Sequence, residues 1–235
     1  FGIAIATVIL PALSRKHINA EGEGFHHTMD WGVKAILLLG MPAMFGLILL
    51  AQPMLMVLFM RGAFSITDVE MASYSLVAYG AGLLSFMMIK VLAPGYYSRQ
   101  DTKTPVKYGI IAMVTNMFFN LLFAIPFGYV GLAIATSMSA LLNAGLLYQG
   151  LHKAGVYQVS RSTLIFTFKV VIATAVMSGL LFYFSPDQSQ WLSWNIGHRM
   201  LMLITLIIAG AISYLMTLLL LGVRPWKIKK APVSR

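Results

Sequence analysis

The string Lys90-Val-Leu-Ala-Pro-Gly-Tyr-Tyr-Ser-Arg-Gln-Asp-Thr-Lys-Thr-Pro-Val-Lys107 gathers the groups in this chain best suited to holding an anion. Arg99 offers a planar fork that binds phosphate bidentately, and Lys90 and Lys103 offer point charges. Pro94 and Gly95 loosen the helix end after Lys90, so its ammonium can turn towards a cavity and meet a phosphate there. The alternative for Lys90 is a methylene stem lying in lipid with the ammonium lifted to the interface. For Arg99 and Lys103 it is a solvated loop pairing with Asp101 and anionic lipid. A second polar set is Asn116 and Asn120, four residues apart and so on one helical face. They read either as interhelical hydrogen bonds, worth roughly 0.6–2 kcal/mol each, or as the polar lining of a substrate path. Asn143 divides the same way.

Other chemistry has no visible carrier. There are no cysteines, so disulfides and thiolate metal sites are excluded. His17, His26, His27, His152 and His198 fall in loops or at the edges of apolar runs. Adjacent residues such as His26 and His27 do not share a helical face, which argues against a metal site. No Ser/His/Asp set, paired carboxylates or phosphate-cradling glycine loop is present, so neither catalytic residues nor a cofactor is expected. Asp30, Asp68, Glu70 and Asp187 all lie at run ends or in loops. A proton- or sodium-coupled transporter usually carries an acid inside the membrane. Any coupling residue is therefore expected upstream of Phe1, or coupling uses no buried acid.

The elements that must position these groups are long apolar runs. Hydrophobic residues make up 59% of the 235 and charged residues 10%, against roughly 25% charged in a soluble domain. A partial run at 1–13 is followed by six full ones at about 31–57, 71–93, 108–126, 130–150, 163–184 and 200–221. Each full run approaches the roughly 20 residues a helix needs to cross a bilayer. The loops after alternate runs, with the tail at 222–235, hold 12 of the 17 basic residues: Arg15, Lys16, Arg99, Lys103, Lys107, Lys153, Arg161, Arg224, Lys227, Lys229, Lys230 and Arg235. The opposite loops hold Arg61 and Arg199. Basic loops resist translocation, so the larger set is expected on the cytoplasmic side. The net charge of +10 is thus spread over four loops facing anionic lipid, and nucleic acid is not an expected partner.

Local signals refine this picture. Asp30 can cap the second run's helix, after a cytoplasmic loop over 15–29. Pro42 predicts a kink in that helix. Ser65 and Thr67 are candidate caps before the third run. The short turn at 126–131 folds runs four and five into a hairpin, and Gly131, Ala135, Ser139 and Asn143 form a row on which another helix can pack closely. Trp191, Trp194 and Tyr183 read as an aromatic belt at the outer interface. Lys34 and Lys169 read as interfacial. The chain has no initiator Met and opens in apolar sequence, so residue 1 reads as a cut inside a helix, with much of a parent protein expected upstream.

The 90–107 string, the opening Gly2–Ser14 ending Leu-Pro-Ala-Leu-Ser, Met29-Asp30-Trp31-Gly32 and Gly145-Leu-Leu-Tyr148 together resemble the MurJ (MviN) family of bacterial lipid II flippases, within the multidrug/oligosaccharidyl-lipid/polysaccharide exporter superfamily. The resemblance covers the whole chain. It implies an all-α, polytopic transmembrane bundle: the C-terminal lobe of a two-lobe, seven-plus-seven transporter, beginning at the end of helix eight, with its C-terminus cytoplasmic. It also implies the task. Undecaprenyl-pyrophosphate-linked disaccharide-pentapeptide (lipid II) moves from the inner to the outer leaflet of the bacterial inner membrane, by alternating access, for cell-wall synthesis. The implied partners are lipid II, membrane lipids and the missing N-terminal lobe. The family's cavity arginines precede Phe1, so the residues carried over are Lys90, Arg99, Asp101 and Lys103. Runs 163–184 and 200–221 map onto the groove that shelters the lipid tail, where Leu180, Leu181, Phe182, Leu203, Ile207 and Ile208 otherwise read as lipid-facing. Export of another glycolipid or a drug, or a non-transporting scaffold for wall synthesis, are the rival readings.

Overall fold

A computed structural model describes residues 2–18 and 22–223, the side chains of 15–18 and 22–23 excepted. The basic tail from 224 onward, and the side chains of Arg15, Lys16 and His17, therefore lie outside the described residues. The elements are helices throughout: α1 (Gly2–Ile18), α2 (Gly22–Leu49), α3 (Ala51–Phe59), α4 (Ile66–Tyr97), α5 (Lys103–Lys153), α6 (Arg161–Phe184), α7 (Gln188–Ser193) and α8 (Ile196–Leu220). Five of them, α2, α4, α5, α6 and α8, are long and apolar enough to cross a membrane.

At 51 residues α5 would be about 77 Å long if straight, more than twice the roughly 30 Å of a bilayer core. It is not straight. Gly128 takes φ 55° and ψ −134°, a conformation suited to glycine alone, and the two arms fold back on each other. Gly131 closes the hairpin, because a Cβ there would overlap the Phe123 carbonyl. Each arm is long enough to span, so the described residues offer six crossings plus α1.

The second run is divided into two helices. α2 continues unbroken past Pro42 and stops at Leu49; the helix restarts at Ala51. The break precedes Pro53, which has no N–H to donate to the Leu49 carbonyl. Nor is 15–29 a loop: α1 runs to Ile18 and α2 starts at Gly22. Asp30 consequently sits inside α2 instead of capping it. Ser65 does cap α4, in a capping box with Asp68, and the Ser65 hydroxyl holds the Asp68 carboxyl below its usual range. Thr67 lies within α4.

Two apolar clusters hold the bundle. One joins α1, α2, the end of α4 and the end of α5 around Ile9, Leu13, Met29, Ile36, Leu92, Leu147 and Leu151. The other joins α3, the start of α4, α6, α7 and α8 around Met56, Val69, Trp191, Leu206 and Leu218. Met41 and Phe166 touch both. Trp191 is thus a core residue, 2% exposed, and not part of an interfacial belt; Trp194 packs edge-on against it with ring centroids 5.6 Å apart. Arg199 is likewise not a loop residue but a buried one in the first turn of α8. Its guanidinium donates to the Leu192 carbonyl at 3.0 Å and to the Met60 sulfur at 3.8 Å.

Much apolar surface stays uncovered, including Ile125 at 91% exposure and Phe182 at 79%. Surface of that kind suits a lipid solvent or a further helical partner.

Candidate functional site

The corner between α4 and α5 is built by its own backbone. α4 ends with Gln100 donating to the Tyr97 carbonyl and Asp101 donating to that of Tyr96, the paired bonds of a Schellman motif. Gln100 takes the left-handed position, φ 62°, where glycine is usual. Tyr96 pins the corner from behind: buried, it donates its hydroxyl to the Leu147 carbonyl at 2.7 Å and meets Tyr108 edge-on. α5 then opens with the Asp101 carboxylate accepting from the Thr104 N–H at 3.0 Å.

This arrangement decides how Asp101 is used. Its carboxyl is held below the usual range first by the Thr104 backbone N–H, then by the Thr104 hydroxyl, with Arg99's charge a smaller contributor. Asp101 therefore serves as a cap rather than as a close counter-ion. Arg99 and Lys103 are exposed, and neither makes a side-chain hydrogen bond. Lys107, one turn further along α5, is exposed as well. The corner can present three cations to an anion arriving at this end of the bundle.

The other candidate residues stand apart from it. Lys90 is exposed and lies nine residues back along α4, about 13 Å away, with its stem alongside the start of α1 at Gly2. Asn116 is about 20 Å up α5 from Lys103. The asparagines clasp the α5 hairpin. Asn120 donates to the Asn116 side-chain oxygen at 3.1 Å, Asn116 donates to Ser139 at 3.3 Å, and Ser139 donates to the Thr136 carbonyl. Asn143, on the same small-residue row, keeps a buried side-chain oxygen without a partner. The same arm is tied to α4 by Ser137, which donates to the Ala78 carbonyl at 2.6 Å.

Several structural groups near the basic end gave little sequence signal. Tyr157, wholly buried in the α5–α6 connection, donates to Asp30 at 2.8 Å across 127 residues. Burial, and next the bond to the Asp30 carboxylate, push the Tyr157 phenol far above its usual range. Lys34 donates to Ser162 at 3.0 Å, and Lys169 donates to the Leu221 carbonyl at 2.8 Å, a cation closing the C-terminal end of α8. Among the described residues no cluster of three or more His, Asp or Glu could hold a metal ion.

Comparison with known proteins gives a consistent set of likenesses. The family model described as "Lipid II flippase MurJ" matches residues 1–204. A probable lipid II flippase MurJ of Vibrio cholerae is 63% identical over 231 residues, 98% of this chain and 44% of that protein. Its counterpart in Haemophilus influenzae is 59% identical over 230 residues, 95% of this chain and 45% of that protein. The lipid II flippase MurJ of Burkholderia cenocepacia is 38% identical over 77% of this chain. A solved structure of a lipid II flippase MurJ in an inward closed conformation shares the fold, with a TM-score of 0.73 over 92% of this chain at 24% identity. The chain spans less than half the length of each of these relatives.

Proposed function

The chain belongs to the lipid II flippase MurJ family, and from that premise we propose that it forms one lobe of a two-lobe transporter carrying lipid II across the bacterial inner membrane. The observation that carries this reading is the family match over residues 1–204, together with 63% identity to a named flippase over nearly the whole chain. The lobes rock around a central site, and the polar headgroup crosses between them while the polyprenyl tail stays in lipid. Arg99 and Lys103 at the α4–α5 corner meet the pyrophosphate at the cytoplasmic mouth. Lys90, Asn116 and Asn120 stand further along the path. On α6 and α8 the tail meets the exposed Phe182, Ile207 and Ile208; Leu181 and Leu203 are buried between helices and are not available to it.

Reconstituted full-length protein in vesicles is expected to bring labelled lipid II to the opposite leaflet. Movement of a drug or an unrelated glycolipid, with lipid II left in place, would favour the wider exporter superfamily instead. No movement of any of them would leave the scaffold reading.

The same proposal fixes an orientation, with the Arg99, Lys153 and Arg161 end inside. Single cysteines at the exposed positions Asp68 and Ser189 are expected to react with an impermeant maleimide added to intact spheroplasts. A cysteine at Lys153 is expected to react after lysis and not before. The reverse pattern sinks the orientation and, with it, the placement of Arg99 at the cytoplasmic mouth.

A further inference from the structure

Proline has no N–H, so inside a helix it leaves the carbonyl four residues earlier without its partner. Pro42 lies within α2, and the carbonyl it frees is that of Leu38. Inside a membrane span no water can take that carbonyl, and a neighbouring group must. Here the neighbour is on another helix. Tyr214 of α8 donates its hydroxyl to the Leu38 carbonyl at 2.7 Å, across 176 residues of sequence. The phenol thus stands in for the N–H that position 42 lacks, and α2 stays helical past Pro42.

The donor is held in place by packing. Tyr214 is 5% exposed and belongs to the second apolar cluster, against which Leu38 and Met41 of α2 also pack. Gly210, one turn earlier on α8, brings that helix close to α6, where a Cβ would stand 3.2 Å from a Leu181 methyl. Pro42 is singled out by this treatment. The carbonyls freed by Pro11, Pro53, Pro94 and Pro126, at Thr7, Leu49, Lys90 and Leu122, receive no side-chain donor among the described residues.

An ordinary residue at 42 would donate its own N–H to Leu38, and α2 would hold its shape whatever α8 did. With proline there, the bond that completes α2 belongs to α8. Among the described residues no other side-chain hydrogen bond joins the two helices. Met41, beside the proline, touches both apolar clusters, so an opening of α2 here falls where the two halves of the bundle meet. We propose that Tyr214 is a positioning residue: it keeps α2 closed across Pro42, and movement of α8 away from α2 releases the Leu38 carbonyl and lets α2 open there. A proline is where a helix kinks when nothing restores the lost bond. Under the proposed function this opening is a step in lobe movement; only that link to transport rests on the proposed function.

The test is a double-mutant cycle in full-length protein in nanodiscs, read by hydrogen exchange in the α2 peptide spanning 38–46. Tyr214→Phe keeps the ring and removes the hydroxyl. It is expected to quicken exchange in that peptide about tenfold, the equivalent of one lost hydrogen bond. Pro42→Ala restores an N–H at 42, and in that background Tyr214→Phe is expected to change exchange by less than about twofold. Tyr183→Phe, exposed on α6, is expected to exchange as wild type. Wild-type exchange in Tyr214→Phe overturns the latch. So does an equal quickening in both backgrounds, which would place the effect in packing. Should Tyr214→Phe alone give no folded protein, recovery of yield by Pro42→Ala keeps the latch and no recovery overturns it. Lipid II transport tests the release. A latch that must open loses function when α2 is closed permanently, so Pro42→Ala is expected to lower transport about tenfold, with melting held or raised. A static brace predicts wild-type transport in Pro42→Ala, and that result overturns the release. If the wild type moves no lipid II, the transport proposal alone fails, and the exchange cycle still decides the latch.

Discussion

Alanine at Gly131 is expected to remove most of the folded protein. The added Cβ would collide with the Phe123 carbonyl, a backbone atom that cannot swing aside as a side chain can. Relief requires the two arms of α5 to part. That would pull Asn116 away from Ser139 and strip the hairpin of its polar clasp inside the apolar layer. Overpacking in a well-packed interior costs roughly 1–3 kcal/mol, and a backbone collision at a helical turn belongs at the upper end. The matched control is Gly145→Ala on the same arm. Nothing lies within 4 Å of a Cβ there, and alanine improves helix propensity by about 1 kcal/mol. The melting temperature and monodisperse yield of the full-length protein should fall sharply for the first variant and hold or rise for the second. Equal melting of Gly131→Ala and wild type would show that the α5 turn is not packed as described.

The same hairpin shows what was legible beforehand. The spans were, because a lipid solvent demands about 20 apolar residues per crossing and punctuates them with loops. The turn at 126–131 was, because Pro126 and Gly128 stand between two such runs. Helix ends and breaks were less so. Pro42 and Pro53 carry the same local signal, yet the chain breaks only beside Pro53. Mid-span, an opened helix would leave carbonyls unpaired in hydrocarbon, whereas near the span's end water and neighbouring chain can take them. Asp30 looked like a cap because its true partner, Tyr157, is 127 residues away. Trp191 looked interfacial because loop tryptophans in membrane proteins usually are; its burial depends on α3, α6 and α8 closing around it. The Arg99–Lys103 corner was the most legible part of the candidate site, since its turn and capping bonds fall within a few residues of it; the Tyr96 anchor on Leu147, 51 residues away, was not legible. The bond from Asn116 to Ser139 was not legible either, because it depends on how the facing arm of the α5 hairpin is placed.

That corner carries the largest expected functional effect. Arg99→Ala with Lys103→Ala in the full-length protein is expected to lower lipid II transport by about tenfold or more, the scale of one or two lost charge-assisted hydrogen bonds at roughly 1.5–3 kcal/mol each. The reasoning starts from Asp101. Were its carboxylate paired closely with Arg99, removing the arginine would mainly disturb a local ion pair. Instead the carboxylate holds the Thr104 N–H and opens α5, and the two cations are exposed without side-chain hydrogen bonds. Truncating them leaves the Schellman bonds and the Tyr96 anchor intact, so yield and melting are expected to stay near wild type. Loss of positive charge could also disturb insertion, because basic loops set orientation. Lys153→Ala with Arg161→Ala controls for that: it removes two exposed cations from the same end while leaving Arg99 and Lys103 in place, and is expected to keep transport within about twofold. Arg99→Lys with Lys103→Arg preserves charge and separates geometry from electrostatics. Because lysine cannot reproduce the bidentate fork, partial rescue is expected, with a steeper loss at high salt. Wild-type transport in the double alanine variant would remove the corner from the transport path. Equal losses in the control pair would reduce its role to inner-surface charge.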